Sequence, residues 1–345
     1  MKFAAFSYAY STNLGDEIQT LSAAQYLPRV DFLVERDRLH WYRGYHSTFM
    51  IFNGWFIQQP TWPPPDSISP LFVAFHAANP ELLIAKKYAS YFKRHEPIGC
   101  RSMATVQAFR GIGVDAYFSA CLTLTLERRR LPRTDQVYAV DVEPSLFAAV
   151  VPKEINERAV HLSHEYPSPD ANLAAKAKWS TAHLCLRGIQ KWEGARPLLG
   201  GAAGKLNQAR HSFRVDRAEE LLATYSSAKL VITSRLHCAL PCIALGTPVI
   251  LLRSGVESDP RFEGLRDFVR CHSDPSRPIQ IDWQQPEPNS DAHLSYVKAL
   301  RQRCKEAVKQ ALASEDGSEL RSGSPSLVAS DLQKTVEFSA YGRKL

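Results

Sequence analysis

The stretch KLVITSRLHCALPCIALGTPVILL, residues 229–252, constrains the fold more than any other part of the chain. Two short apolar runs, 229–233 and PVILLR, are rich in β-branched residues. Runs of this kind read as strands covered on both faces, which is the habit of parallel sheets. The residues between them suffice for a helical crossover, and a buried βαβ unit excludes both an all-β sandwich and a helical bundle. At the carboxyl end of the first strand the chain places Ser234, Arg235, Leu236 and His237. Ligands of open α/β sheets gather at such ends. Thr233 or Ser234 reads as a cap for the helix start, where free N–H groups favour an anion. Arg235 supplies a guanidinium suited to phosphate or carboxylate, and His237 a group that exchanges protons near neutral pH. Pro241 requires the helix to be short or kinked. From these residues alone two readings stand: an anion site with no named reaction, or an arginine paired to a helix end beside a satisfied core histidine.

The remaining sequence has the same rhythm. FAAFSYAY, STNLGDE and IQTLSAAQYL read as strand, loop and helix, with Pro28 as the stop. DFLVE, FMIFNGWFI (49–57) and PLFVAFHAA (70–78) read as further strands, with a Pro-rich connection at 60–65. Helical patterns follow at 80–94 and 102–110, then a strand pair in DAYFSACLTLTL. After Arg128-Arg129-Arg130 the alternation restarts with VYAVDVE (137–143), AVHLSHEY (159–166) and a helix at 216–227. Alternation twice over argues for two α/β domains with parallel sheets: residues 1–130, residues 131–290, and a C-terminal helix with a flexible tail over 291–345. The Gly-rich stretch 187–212 reads as a loop or insertion, and SEDGSELRSGSPS, from about 315, as a mobile tail.

Composition narrows the function classes. The 42 Lys+Arg against 35 Asp+Glu give +7. The basic residues are scattered and not interleaved with aromatics, which argues against nucleic acid as a partner. The excess suits an anionic small substrate, and is compatible with peripheral association at an anionic membrane surface. Seven cysteines, none in paired CxxC motifs, point to free thiols in a reducing compartment and to no metal site. No apolar stretch reaches the roughly 18 residues that span a bilayer, and MKFAAFSYAY reads as a first strand; the expected location is the cytoplasm.

Four stretches, in order, resemble the polysaccharide pyruvyl transferase family: NLGDEIQTLSAAQYLP, IGCRSMATVQAFRGIGVDAYFSACLTLTL, RAEELLATYSSAKL and AKLVITSRLHCALPCIALGTPVIL. The resemblance implies two Rossmann-like domains facing a cleft, in the manner of GT-B glycosyltransferases. It implies transfer of the pyruvyl group of phosphoenolpyruvate onto two hydroxyls of one sugar, giving a cyclic ketal and phosphate, with no cofactor beyond that donor. The expected acceptor is a saccharide or lipid-linked saccharide, and for the latter the expected place is the inner face of the membrane.

The same resemblance places the donor at Arg235, Leu236 and His237, with Arg101 as a second arginine from the first domain and Ser234 beside them. A phosphate and a carboxylate are answered by two arginines and helix N–H groups without metal. His237, as an imidazolium, is expected to protonate the methylene carbon. Asp16 is the candidate base for the attacking hydroxyl, against the alternative that it caps the first helix. Asn13 and Gly15 are candidates for shaping the acceptor site, with Gly15 alternatively serving a tight turn. Trp55 reads either as a sugar platform or as core. His76, His95 and His164 fall near strand ends and read as mainly structural. Ser102 follows Arg101 where many relatives carry an acid. Two rivals stand beside this reading. One is a nucleotide-sugar glycosyltransferase using Glu257 or Asp259 on ribose; the other is a non-catalytic glycan or anion binder.

Overall fold

The computed structural model describes residues 1–8, 11–42, 44, 46–56, 62–128, 131–167 and 196–319. The first sheet holds β1 (Lys2–Ser7), β2 (Phe32–Glu35), β3 (Thr48–Phe56), β4 (Ile68–Ala77), β5 (Ile98–Cys100) and β6 (Ala116–Phe118), in spatial order β2-β1-β3-β4-β5-β6. The second holds β7 (Val137–Val140), β8 (Val160–Leu162), β9 (Leu230–Thr233), β10 (Val249–Leu252) and β11 (Arg270–His272), in order β11-β10-β9-β7-β8. Every pairing in both sheets is parallel. The architecture is therefore α/β with two parallel, Rossmann-like sheets. Strand order reverses between β1 and β3 in one sheet and between β7 and β9 in the other, and crevices for ligands open at such reversals.

The helices are α1 (Gly15–Ala24), α2 (Pro80–Leu83), α3 (Ala89–Lys93), α4 (Met103–Gly111), α5 (Pro144–Val150), α6 (Lys153–Arg158), α7 (Arg196–Ser227), α8 (Leu236–Ala244) and α9 (Leu294–Glu319). One apolar cluster joins the halves: Leu14 and Ile18 at α1 pack with Leu221 and Tyr225 of α7 and with Cys238 and Leu240 of α8. At the other end of the chain, α9 returns to the first sheet. Leu300, Cys304, Val308 and Ala311 cover Phe3, Phe49, Ile51, Leu71 and Val73.

Several expectations change. From Arg196 onward the stretch expected to be a loop is helical, and α7 runs unbroken to Ser227; residues 187–195 lie outside the described ones. The pattern over 80–94 breaks into α2, a 3₁₀ turn and α3. The strand pair over 115–126 is one short strand, β6, followed by a 3₁₀ turn at Leu122–Thr125. Ala120 has φ +60°, and Ser119 Oγ donates to the Cys100 carbonyl, so the chain leaves the sheet there. Residues 315–319, expected in the mobile tail, end α9; residues beyond 319, together with Arg129 and Arg130, lie outside the described ones. Among the described residues no helix is long and apolar enough to cross a membrane.

Candidate active site

The corner after β9 is a crossover between buried strands, and its local geometry follows from one proline. Pro241 lies inside α8 and has no N–H for the carbonyl four residues back, which is that of His237. At His237 the backbone leaves helical geometry, with φ −83° and ψ 16°. Arg235 occupies the N-cap position with no side-chain cap. Thr233 Oγ1 accepts from the Arg235 N–H at 3.0 Å, ahead of the first turn, and donates to the Val140 carbonyl, while Ser234 Oγ donates to that of Asp141. Both hydroxyls tie β9 to β7, which leaves the first turn of α8 uncapped. Leu236 packs partly buried against the apolar cluster.

His237 is 9% exposed and meets groups from both halves. Arg101, at the end of β5 and 1% exposed, donates from Nη1 to His237 Nε2 at 2.9 Å and to Gln19 Oε1 at 3.1 Å. A guanidinium only donates, so the ring accepts at Nε2 and is neutral with its proton on Nδ1. Burial holds the imidazole well below its ordinary pKa, and Arg101, His164 and His76 hold it lower still. This geometry therefore holds the neutral ring, where the sequence led us to expect the imidazolium.

Arg101 makes no ion pair among the described residues, and its buried Nε has no hydrogen-bond partner. Burial lowers its proton affinity, while the Cys121 thiol and Asp16 raise it. A buried guanidinium whose contacts are neutral is costly and calls for an anion.

The loop from β1 to α1 supplies the opposite wall. Asn13 Oδ1 accepts from Gly15 N–H at 3.0 Å, which turns the chain into α1. A Cβ on Gly15 would lie 3.0 Å from His237 Cβ and 3.1 Å from Asn13 Oδ1. Gly15 therefore serves close approach rather than a left-handed turn. Asp16 does not cap α1. Its Oδ2 accepts from Ser11 Oγ at 2.5 Å, its Oδ1 accepts from Gln19 Nε2 at 3.2 Å, and Arg36 stands 3.7 Å away. With both oxygens engaged, Asp16 anchors a chain of contacts running through Gln19 and Arg101 to His237.

Arg235 pairs with carboxylates of the second half. Its side chain is 33% exposed; Nε donates to Asp141 Oδ2 at 2.9 Å and Nη2 lies 3.2 Å from Glu165 Oε1. Two carboxylates already match its charge. His164 is fully buried, with Nε2 2.7 Å from the Tyr225 hydroxyl, and His95 stacks edge-on to Tyr91. Trp55 is half-buried at the end of β3, outside the core clusters, with the Arg261 guanidinium 5.5 Å from its ring centroid and the His76 ring 6.4 Å away. His76 bonds Ser102 Oγ at 2.9 Å, so Ser102 supports the site without an acidic group.

Two groups had no signal in the sequence reading. Gln19 lies three residues after Asp16 on one helix face, a spacing that does pair side chains. Arg214 of α7 has Nη2 2.6 Å from Glu17 Oε2, both side chains being almost fully buried, and donates to the carbonyls of Tyr8, Ser11 and Asn13. It holds the β1–α1 loop from the other half. Among the described residues no group of three or more His, Cys, Asp or Glu side chains has the arrangement of a metal site.

Two parallel sheets with a buried arginine–histidine pair where their halves meet define an α/β protein. The profile of the family described as polysaccharide pyruvyl transferase matches residues 13–255, which span β1's loop to the end of the corner unit. The chain belongs to that family. A crystal structure of a functionally uncharacterised protein from Klebsiella pneumoniae is similar at 11% identity and a TM-score of 0.35, covering 76% of this chain and 86% of the other. No curated protein sequence matches the chain.

Proposed function

We propose that this family member transfers the pyruvyl group of phosphoenolpyruvate to two hydroxyls of a saccharide, free or lipid-linked, forming a cyclic ketal and releasing phosphate. The observation that carries this reading is Arg101, a buried cation whose direct contacts are neutral, beside an uncapped helix start and a neutral imidazole. A phosphate or carboxylate seated there meets the charge that the surrounding side chains leave uncompensated. The division into residues 1–130 and 131–290, with a GT-B-like relation between the two, is part of the same proposal.

Donor binding also resolves the protonation of His237. An anion that draws Arg101 away from Nε2 and places negative charge beside the ring raises its proton affinity, so the imidazolium forms in the donor complex. That imidazolium protonates the methylene carbon, and the neighbouring carbon bonds a sugar hydroxyl oxygen, whose proton returns to the now neutral His237. The C–O bond to phosphate then breaks, with the leaving group taking that proton from His237, and the second hydroxyl closes the ring as its own proton passes to the neutral imidazole and restores the imidazolium. Arg101 holds the departing phosphate. One imidazole serves alternately as acid and base in both additions, which frees Asp16 for its anchoring place. The carboxylates that a nucleotide-sugar reading needs are already engaged: Asp259 bonds Arg261 through both oxygens, and Glu257 accepts from Ser273 Oγ at 2.6 Å.

The test is twofold. Phosphoenolpyruvate, and not UDP or GDP, is expected to raise the melting temperature. Phosphate release with a panel of lipid-linked sugars is expected to disappear in His237→Ala while donor binding stays measurable. Stabilisation by a nucleotide diphosphate alone, or full turnover in His237→Ala, would sink the reading.

A further inference from the structure

Gln19 stands between a carboxylate and a guanidinium. Its Nε2 donates to Asp16 Oδ1 at 3.2 Å and its Oε1 accepts from Arg101 Nη1 at 3.1 Å. A side-chain amide has one donor end and one acceptor end, so these two neighbours fix which way it faces. The same Nη1 reaches His237 Nε2 at 2.9 Å. The backbone carbonyl of Gln19 is tied to β3 by Asn53 Nδ2 at 2.9 Å. Beside it Gly54 has φ +96°, at a register shift in the β3–β4 pairing, and a Cβ there would lie 2.6 Å from Gln19 Oε1. The chain thus holds an irregular glycine where the amide oxygen needs room, as bulges beside functional sites do.

The residue type matters as much as the geometry. A carboxylate in this position would pair with Arg101 and neutralise the charge offered to the donor. A hydrocarbon would leave Nη1 without the second acceptor that aims it. We propose that Gln19 is a positioning residue, holding the Arg101 guanidinium on His237 Nε2 while leaving its charge uncompensated for the anionic donor, with Gly54 providing the clearance. The catalytic consequence rests on the pyruvyl-transfer reading; the positional claim does not.

The test begins with nuclear magnetic resonance of the His237 ring in the ligand-free full chain, with the signal assigned by its loss in His237→Gln. The charged and titratable groups around the ring are Arg101 at the end of β5, His76 on β4 and His164 after β8. The wild-type ring is expected to stay neutral, with its proton on Nδ1, from pH 8 to about 5.5. In Gln19→Glu and in Gln19→Met the ring is expected to titrate at a pH higher by about one unit or more, through added negative charge in the first and loss of aim in the second. Gln19→Glu is further expected to raise the donor KM more than about tenfold with kcat changed less than about threefold, since a competing carboxylate weakens binding before chemistry. Gly54→Ala, which presses on the same oxygen, supplies a third variant should either of the others fail to fold. Titrations that superimpose on wild type in the folded variants overturn the assignment. If wild type releases no phosphate from phosphoenolpyruvate, the reaction reading fails and the titration still decides the role of Gln19.

Discussion

Arg214→Leu tests how the two halves share one buried charge. In the folded chain Arg214 Nη2 lies 2.6 Å from Glu17 Oε2, with side chains 2% and 1% exposed, and the guanidinium also serves three carbonyls of the β1–α1 loop. Leucine fills much of the volume and donates nothing. The Tyr8 and Asn13 carbonyls keep the Ser11 and Asp16 N–H groups, but each charge-assisted bond from the guanidinium contributes about 1 kcal/mol or more, so losing three gives a deficit of about 3 kcal/mol near neutral pH. The carboxyl adds a pH dependence. Burial pushes Glu17 from 4.5 up to about 8, against the pull of Arg214. The folded state therefore keeps a proton that the unfolded chain releases above pH 4.5, and stability from this group falls as pH rises through that window. In wild type the fall ends near pH 8, where the carboxyl ionises beside the guanidinium. Without Arg214 ionisation is deferred and the fall continues, at about 1.4 kcal/mol per pH unit. The variant's deficit should thus grow by about 1.4 kcal/mol between pH 7 and pH 9. Urea unfolding followed by tryptophan fluorescence at the two pH values measures both quantities. A deficit under about 1 kcal/mol at pH 7, or one that stays level to pH 9, refutes the reasoning.

Three further outcomes follow from the site. Arg101→Ala should raise the donor KM by about 10- to 100-fold, and Arg235→Ala by clearly less, because two carboxylates already match Arg235; steady-state kinetics that reverse this order contradict the geometry. Gly15→Ala places a methyl 3.0 Å from His237 Cβ, so turnover should drop at least about tenfold while stability changes by no more than about 1–2 kcal/mol, and unchanged turnover would show that the ring has room to move. Titration calorimetry with phosphoenolpyruvate in two buffers of different ionisation enthalpy should register uptake of about one proton per donor at pH 7.5, since Arg101 holds His237 neutral beforehand; no uptake contradicts a donor-induced imidazolium.

The corner after β9 was readable because its signals are local. Apolar runs mark the strands, Gly246 the stop and Pro241 the kink, and the last of these also explains why the backbone turns at His237. Arg101 was reached by resemblance to the family, and its pairing with His237 could not have been, since 136 residues separate them. Gly15 reads as shaping the acceptor site or serving a tight turn. A sequence shows that glycine can turn, whereas its use here is the space it leaves against a side chain from the other half. The partners of Arg235 were not legible for a related reason: Asp141 and Glu165 lie on other strands' loops, and charge pairing across strands leaves no periodic trace. Arg214 stands next to a glycine-rich stretch that composition favoured as loop, and only the helix α7 carries it to the β1–α1 loop.

The return of α9 to the first sheet bears on how the chain matures. Phe3, Phe49, Ile51, Leu71 and Val73 emerge early during synthesis, yet Leu300, Cys304 and Val308, which cover them, are made hundreds of residues later. A nascent chain must carry that oily flank bare through most of its translation, and a ribosome stalling before residue 294 releases a product whose sheet stays sticky on one side.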